Sequence, residues 1–274
     1  MSDETQQPDQ PEPTALRPLA VVTGGSSGIG LELARRFAEE GFDLVVAADE
    51  PQITLAADAL SAAGNAVRAV QTDLGTAEGV QTLVEAVLAT GRPVDALALN
   101  AGVGAGGPFV DTPLEGDLQV IAVDVVGTVR LAKALVPAMA RRGAGRVLMT
   151  SSTASQMPGP YYATYAASKA FVQSFAEALR HELADSGVTV TALLPGPTDT
   201  AFFARAGMED TPVGRGPKDD PADVADQAFE AMMAGADRVS VRSLKARMQT
   251  AAAALLPDRA KAAVHAAFTK PDDT

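Results

Sequence analysis

The chain has 274 residues, a formal net charge of −12 and no cysteine. The acidic balance argues against nucleic-acid binding, because a phosphate backbone is bound by basic patches and no Lys/Arg cluster here is larger than a pair. Without cysteine there is no disulfide and no thiolate metal site, and the two scattered histidines, His181 and His265, argue against a histidine-based metal site.

The sequence shows neither the pattern of a secretory signal at its start nor an apolar run long enough to span a bilayer. We therefore expect a cytoplasmic protein that binds no membrane. Residues 1–18 are rich in Gln, Pro, Asp and Glu and nearly lack large apolar side chains, so they cannot bury enough surface to offset the entropy of ordering. This acidic, proline-containing segment is predicted to be a disordered tail.

The first structured element is predicted to be a buried strand, Leu19–Thr23, that leads directly into a glycine-rich turn, Gly24–Gly30. Residues 31–40 have helical composition and end at Gly41, so the glycines lie between a strand and a helix. Such a turn lets the backbone approach a pyrophosphate, whose charge then faces the positive end of the helix dipole. The alternative is that the glycines serve the turn alone.

Short apolar runs recur along the rest of the chain, and helix-like segments separate most of them. This alternation is typical of parallel strands joined by crossover helices. We predict one α/β domain over residues 19–274, with a doubly wound sheet of about seven parallel strands and helices on both faces. The predicted strands after the first are residues 43–48, 66–70, 95–99, 146–151, 188–194 and 238–241.

Ligands of such a sheet bind beyond the carboxyl ends of the strands, near the point where the strand order reverses. Four groups directly follow a predicted strand, and we expect them to meet in one crevice: Gly24–Gly30, Asn100–Gly102, Ser152 and Pro195-Gly196.

Tyr165 and Lys169 are the most informative pair in the sequence, with Ser152 thirteen residues upstream of the tyrosine. On a helix, positions i and i+4 share a face, so the phenol and the ammonium would project together. A nearby cation lowers a phenol pKa, and a serine hydroxyl can bond the same substrate oxygen. The alternative is that Tyr165 only packs and Lys169 only lies in solvent.

Taken together, Thr23-Gly24-Gly-Ser-Ser-Gly28-Ile-Gly30, Asn100-Ala-Gly102, Ser152, Tyr165-x-x-x-Lys169 and Pro195-Gly196 resemble the short-chain dehydrogenase/reductase family in order and spacing. The resemblance runs from about Pro18 to about Val241. It implies a Rossmann-type fold and an NAD(P)-dependent oxidoreductase, and a homodimer or homotetramer.

The resemblance also implies roles for individual residues. Tyr165 would be the general acid or base, Lys169 would lower its pKa and bind the nicotinamide ribose, and Ser152 would orient the substrate carbonyl or hydroxyl. The cofactor-binding residues that it implies, together with those that follow from the predicted strand ends, are Gly24, Ser26, Ser27, Gly28, Ile29, Gly30, Asp49, Asp73, Leu74, Asn100, Ala101, Gly102, Tyr165, Lys169, Pro195, Gly196, Thr198 and Thr200.

Asp124 departs from the family pattern, which has a catalytic asparagine at this position. In the family that asparagine acts largely through its backbone carbonyl, which an aspartate retains. The side chain, however, would bring an acceptor-only charge toward Lys169 and raise the pKa of the lysine. The alternative is that Asp124 points elsewhere and changes nothing.

Cofactor choice is expected to depend on the end of the second strand, where an acidic side chain accepts from the ribose 2′-hydroxyl and repels a 2′-phosphate. Asp49 directly follows this strand, although the register is ambiguous. The nearby side chains in the sequence are Glu50, Ser26 and Ser27, with no arginine or lysine among them, so NAD is favoured over NADP. The alternative is that Asp49 simply faces water.

Two further segments border the predicted crevice. Residues 197–220, the substrate loop, carry Phe202, Phe203 and Met208, which would either line an apolar pocket or pack beneath the loop. Asp220-Pro221 then predicts a helix start. The alanine-rich extension, residues 243–270, is predicted to be helical with a break at Pro257, and to cap the cleft or an interface.

The leading hypothesis is an oxidoreductase that interconverts an alcohol and a ketone or aldehyde with Tyr165 moving the proton. Such an enzyme has a small carbonyl or alcohol substrate and no metal. One alternative is a catalytically impaired nucleotide-binding regulatory protein of the same fold, with Asp124 as the lesion. Another is dehydration or epimerisation with a bound nicotinamide, which we expect to need a larger substrate region.

Overall fold

A computed structural model describes residues 16–62, 64–241 and 257–271. Residues 1–15 of the predicted tail and residues 243–256 of the predicted extension lie outside these ranges. The strands are β1 Leu19–Thr23, β2 Asp43–Ala48, β3 Val67–Gln71, β4 Ala96–Leu99, β5 Gly145–Thr150, β6 Val188–Pro195 and β7 Arg238–Val241. Each predicted strand lies within one residue of an observed one at either end.

Helices connect most of these strands, and a helix lies near the C-terminal end of the described chain. They are α1 Gly28–Glu39, α2 Gln52–Ser61, α3 Ala77–Leu88, α4 Leu114–Val120, α5 Thr128–Arg142, α6 Ala163–Glu182, α7 Phe202–Arg205, α8 Pro212–Arg215, α9 Pro221–Met233 and α10 Asp258–Thr269. A π-helical turn, Ile121–Gly127, joins α4 to α5, and a 3-10 turn, Thr153–Gln156, follows β5.

The strands of the described chain form one parallel sheet in the order β3-β2-β1-β4-β5-β6-β7. The chain moves outward from β1 to β3 and then returns to place β4 on the other side of β1. The order therefore reverses between β1 and β4, which is where such sheets bind ligands. The predicted single-domain, doubly wound α/β fold is confirmed.

Both faces of the sheet are covered by helices, which explains why the strands are nearly continuous apolar runs. Val21 and Leu97 face one apolar core, and Val22 and Leu148 face the other. The first core includes side chains of α3, α5 and α6, and the second includes side chains of α1, α2 and α9. Burial of each large side chain in these cores contributes about 1.5–3 kcal/mol to the free energy of unfolding. The sheet therefore holds the residues at its carboxyl edge in fixed positions.

Helix α6 packs on one face of the sheet through its own apolar face. Val172 and Ala176 are fully enclosed, and the partly buried side chains packed on the same core include Phe175, Leu179 and Leu183. The apolar side chains of α6 therefore pack on the core for most of its length, while Phe171 remains 40% exposed. The anchored helix carries Tyr165 and Lys169 on its first two turns.

Helix α1 begins at Gly28, three residues earlier than predicted, so the glycine-rich segment forms its first turn. The prediction placed the start of the helix where its apolar periodicity begins. The first turn of this helix forms without such periodicity, so the sequence pattern does not mark it. Helix α9 begins as predicted, because the Asp220 carboxylate accepts a hydrogen bond from the Ala222 N–H at 2.8 Å and Pro221 occupies the first turn.

Helix α10 is docked on the segment that precedes α6. His265 Nδ1 lies 2.8 Å from the Pro158 carbonyl oxygen, and the Tyr162 hydroxyl lies 2.5 Å from His265 Nε2. A carbonyl can only accept, so Nδ1 carries the proton and Nε2 accepts from Tyr162. The Thr269 hydroxyl donates to the Pro160 carbonyl at 2.8 Å. The extension was predicted to cap either the cleft or an interface. Its described part, α10, lies over the cleft.

Among the described residues, no helix combines the length and the apolar character that a membrane span requires.

His265→Ala is expected to loosen α10. Burial lowers the pKa of His265 and favours the neutral ring that makes both hydrogen bonds. Their loss removes about 1–2 kcal/mol, so amide protection factors of α10, measured by hydrogen exchange at pH 7, should fall about tenfold. In the wild type, protection should also fall as pH drops below about 6.5, because the depressed folded-state pKa makes protonation favour the undocked state.

The matched control is His181→Ala, which removes an exposed histidine on α6. Equal α10 protection in the two variants would contradict the docking role of His265.

Candidate active site

A cavity of about 480 Å³ runs along the carboxyl edge of the sheet. Its walls come from the segments that follow five strands, from the substrate loop and from α10. Every predicted site residue except Asp124 lines it, including the glycine-rich turn, Asp49, Asp73, Ser152, Tyr165 and Thr200. The expected convergence on one crevice is therefore observed.

The glycine-rich turn leaves the N-terminus of α1 open to the cavity. Gly28 has φ +55°, and a Cβ at Gly30 would lie 2.0 Å from the Gly24 carbonyl oxygen, so a side chain is not accommodated at either position. The N-cap Ser27 makes no side-chain capping bond, so the N–H groups of the first turn of this 12-residue helix are left for another acceptor. This cradle fits the pyrophosphate of a dinucleotide.

Asn100 holds three strand ends together beside this cradle. Its amide nitrogen donates to the Thr23 carbonyl at 3.1 Å, and its side-chain oxygen accepts from the Thr150 hydroxyl at 3.1 Å. The Thr23 hydroxyl accepts from the backbone N–H groups of Asn100 and Ala101. The side chain of Asn100 is thus engaged in fixing the edge of β1, β4 and β5.

Other predicted residues complete the outer wall. The Asp73 carboxylate accepts from the Gly75 N–H at 2.8 Å. The hydroxyl of the buried Thr198 donates to the Gly196 carbonyl at 3.0 Å, and Thr200 accepts from the Phe202 N–H at 3.2 Å. These hydrogen bonds to nearby backbone groups therefore hold the side chains of Asp73, Thr198 and Thr200 at the cavity.

Tyr165 and Lys169 project from the same face of α6, as their spacing predicts. The Lys169 ammonium lies 5.6 Å from the centre of the Tyr165 ring. The Ser152 hydroxyl, at the end of β5, lies close enough to Tyr165 to lower the pKa of the phenol, and its oxygen accepts from the Ala154 N–H at 3.1 Å. Two hydroxyls and an ammonium therefore meet at the inner end of the cavity.

Asp124 lies directly behind this group and is fully buried. Its carboxylate is 3.2 Å from the Lys169 ammonium, accepts from the Ser168 hydroxyl at 3.1 Å, and accepts from the Val103 N–H at 2.9 Å. The alternative in which Asp124 points away is therefore wrong. Lys169 also donates to the Thr150 carbonyl at 3.2 Å, so the buried ammonium has two fixed partners.

The charges of this cluster shift the pKa values of its members. Burial lowers the pKa of Lys169, but the Asp124 carboxylate and the Tyr165 phenol together outweigh it, and the lysine pKa is raised. Burial raises the pKa of the Tyr165 phenol; the Lys169 ammonium opposes this and the Asp124 carboxylate adds to it. The Lys169 ammonium thus lowers the phenol pKa as expected, but the net shift is upward, because burial and the Asp124 carboxylate together exceed its effect.

The side of the cavity next to Tyr165 is largely apolar and aromatic. The Phe202 ring lies 5.0 Å from that of Tyr165, and Phe203 and Met208 are buried in the same cluster. The substrate-loop side chains thus both line the cavity and pack beneath the loop. The histidine-bonded Tyr162 closes this side, with Phe268 of α10.

Two residues that line the cavity were not predicted as site residues. His265 reaches the cavity from α10, and Arg205 reaches it from α7, where its guanidinium lies 2.7 Å from Glu50 and 3.0 Å from the Ser27 hydroxyl. The premise that no basic side chain lies at the corner after β2 is therefore wrong. No local pattern marks Arg205, because it arrives from 155 residues away when the substrate loop folds back.

The sequence matches the short chain dehydrogenase family over residues 18–210. A short chain dehydrogenase of Pseudocercospora fijiensis is 35% identical over 188 residues, which are 68% of this chain and 61% of that protein. This chain thus spans less than two thirds of the length of that relative.

Solved structures agree with this match. A short-chain dehydrogenase from Sphingobium yanoikuyae in complex with NADPH is 32% identical, with a TM-score of 0.77, over 86% of this chain and 93% of that one. A short-chain dehydrogenase/reductase from Burkholderia phymatum in complex with NAD is 30% identical, with a TM-score of 0.78, over 85% of this chain and 91% of that one. The chain therefore belongs to the short-chain dehydrogenase/reductase family.

Proposed function

We propose that this protein interconverts an alcohol and a ketone or aldehyde, with Tyr165 as the general acid and base. One observation carries the proposal: the hydroxyls of Ser152 and Tyr165 meet at the inner end of a cavity that continues to the open N-terminus of α1. A dinucleotide with its pyrophosphate on α1 has room to extend toward these hydroxyls. When bound, its nicotinamide supplies or accepts the hydride.

In the reduction direction, Tyr165 gives its proton to the carbonyl oxygen as that oxygen gains negative charge. Ser152 hydrogen-bonds the same oxygen and fixes its position. The Lys169 ammonium stabilises the phenolate that remains, and Asp124 holds this ammonium in place. Oxidation of the alcohol uses the same groups in reverse, with the phenolate as the base.

NAD is the favoured cofactor in this proposal. Asp49 is exposed at the cavity directly after β2, and Glu50 follows it, so two carboxylates stand where the adenosine ribose of a dinucleotide is bound in such folds. A carboxylate accepts a hydrogen bond from a ribose hydroxyl and repels a phosphate.

The regulatory alternative has no observation in its favour. Asp124 leaves Ser152 and Tyr165 at the cavity, and its own carboxylate has three partners in the cluster. A carboxylate at this position changes the strength of the acid without removing it.

We also propose that the protein is a homo-oligomer through the face shared by the π turn and α6. Ile121 and Ala167 border a shallow groove, and Ile121 is 41% exposed. Phe171 lies one helical turn beyond Ala167 and is 40% exposed. Exposed apolar side chains grouped in this way are typical of an interface between subunits.

Tyr165→Phe should lower turnover by about 10² or more, because a phenyl ring cannot transfer the proton. The measurement is dinucleotide-linked absorbance over a panel of small ketones, aldehydes and alcohols, with NADH binding followed by fluorescence. Binding should change less than twofold. Tyr161→Phe is the matched control, since Tyr161 does not line the cavity. Equal turnover in Tyr165→Phe and Tyr161→Phe would contradict the assignment of Tyr165 as the general acid and base.

Ile121→Glu should shift the protein to a smaller species, because a charge at the centre of the proposed interface would be desolvated without a partner. Light scattering coupled to size exclusion measures the mass of the wild type and the variant. Leu55→Glu is the control, since Leu55 is 71% exposed on α2, away from this face. A monomeric wild type contradicts the proposal.

A further inference from the structure

The corner after β2 holds a charged cluster that joins two distant parts of the chain. The Arg205 guanidinium bonds Glu50 through one terminal nitrogen at 2.7 Å and the Ser27 hydroxyl through the other at 3.0 Å. The second carboxylate oxygen of Glu50 accepts from the Ser26 hydroxyl at 3.1 Å. The substrate loop is therefore tied to both the glycine-rich turn and the end of β2.

All members of this cluster line the same cavity as Tyr165. They lie at the opposite end from the phenol, beside the N-terminus of α1 and the exposed carboxylate of Asp49. In the proposed function, on which this inference rests, that end receives the adenosine half of the dinucleotide, whose ribose lies next to the residue that follows β2.

We propose that Arg205 is a specificity-determining residue that binds a phosphate on the adenosine ribose, and that Glu50 is its partner when this phosphate is absent. The site then takes NADH, favoured by Asp49, and also accepts NADPH. The cation comes from the substrate loop, while the neighbouring sequence of the corner supplies only carboxylates and hydroxyls.

The chemistry of the guanidinium supports this role. Its two terminal nitrogens form a planar fork that matches phosphate oxygens, and arginine stays charged at any working pH. Both of these nitrogens already point at groups of the corner, so the fork is in position. The bond to the Ser27 hydroxyl places one arm of the fork beside the turn that receives the pyrophosphate.

The contact with Glu50 is of a kind that a phosphate can displace. The Arg205 side chain is 48% exposed and that of Glu50 is 32% exposed, so solvent screens their attraction. A phosphate carries more negative charge than a carboxylate and offers three acceptor oxygens. When the phosphate displaces Glu50 from the guanidinium, Glu50 still accepts a hydrogen bond from the Ser26 hydroxyl.

A purely structural role for Arg205 predicts a different response to mutation. Phe202, on the same short helix, packs against Tyr165, so loss of a simple loop tie would disturb the whole cavity. Such a disturbance would weaken all adenosine ligands alike. A specificity role affects only ligands with a ribose phosphate.

The test compares calorimetric dissociation constants of 5′-AMP and 2′,5′-ADP, which differ by the ribose 2′-phosphate alone. Arg205→Gln should weaken binding of 2′,5′-ADP about tenfold and change binding of 5′-AMP less than twofold. Glu50→Gln should strengthen 2′,5′-ADP several-fold, because it removes a repelling and competing carboxylate. Arg35→Gln is the matched control, since Arg35 is an exposed arginine paired with Glu32 at 2.8 Å outside the cavity.

An equal loss of both ligands in Arg205→Gln, or no loss of either, overturns this inference and leaves the dinucleotide site standing. Failure of the wild type to bind 5′-AMP and 2′,5′-ADP contradicts the dinucleotide site itself, and with it both proposals.

Discussion

The buried ion pair between Asp124 and Lys169 is the interaction on which the candidate active site depends. Their side chains are 0% and 5% exposed, with the carboxylate and ammonium 3.2 Å apart. Each charge is also bonded to a neutral group: Val103 and Ser168 donate to the carboxylate, and Thr150 accepts from the ammonium. Removing one partner of such a pair typically costs about 3–5 kcal/mol, so the pair fixes the π turn, the loop after β4, the end of β5 and α6 to one another.

Burial is the main cause of the raised pKa of the Tyr165 phenol, and the ion pair modifies this effect. The Lys169 ammonium lowers the phenol pKa, and the Asp124 carboxylate raises it. The phenol therefore keeps its proton more firmly than the spacing of Tyr165 and Lys169 suggests. In the proposed function, this arrangement favours proton donation to a carbonyl at neutral pH and abstraction of a proton from an alcohol at higher pH.

Much of the fold could be predicted because the sheet is buried on both faces. Strands such as Leu19–Thr23 are nearly continuous apolar runs, and the motif residues stand where those runs end. The i, i+4 spacing was enough to place Tyr165 and Lys169 on one face of α6, since a helix leaves no other arrangement.

The remaining features depend on contacts between distant parts of the chain. The π-helical turn at Ile121–Gly127 has no sequence signature, yet it places Asp124 beside Lys169, so the direction of that side chain stayed open. Arg205 and His265 come to the cavity from 155 and 103 residues beyond their partners Glu50 and Tyr162. No pattern within a short window can indicate such contacts, and both residues were missed.

The most direct test of the central claim is a spectroscopic titration of the Tyr165 phenol in the protein without ligands. The chain has three tyrosines and no tryptophan, so tyrosinate absorbance is well isolated, and subtraction of the Tyr165→Phe titration leaves the signal of Tyr165. Asp124→Asn should lower the pKa of this phenol relative to the wild type, whose value should lie above the ordinary one of about 10. An unchanged or higher phenol pKa in Asp124→Asn would contradict the account, because the Asp124 carboxylate would then not raise the pKa of Tyr165.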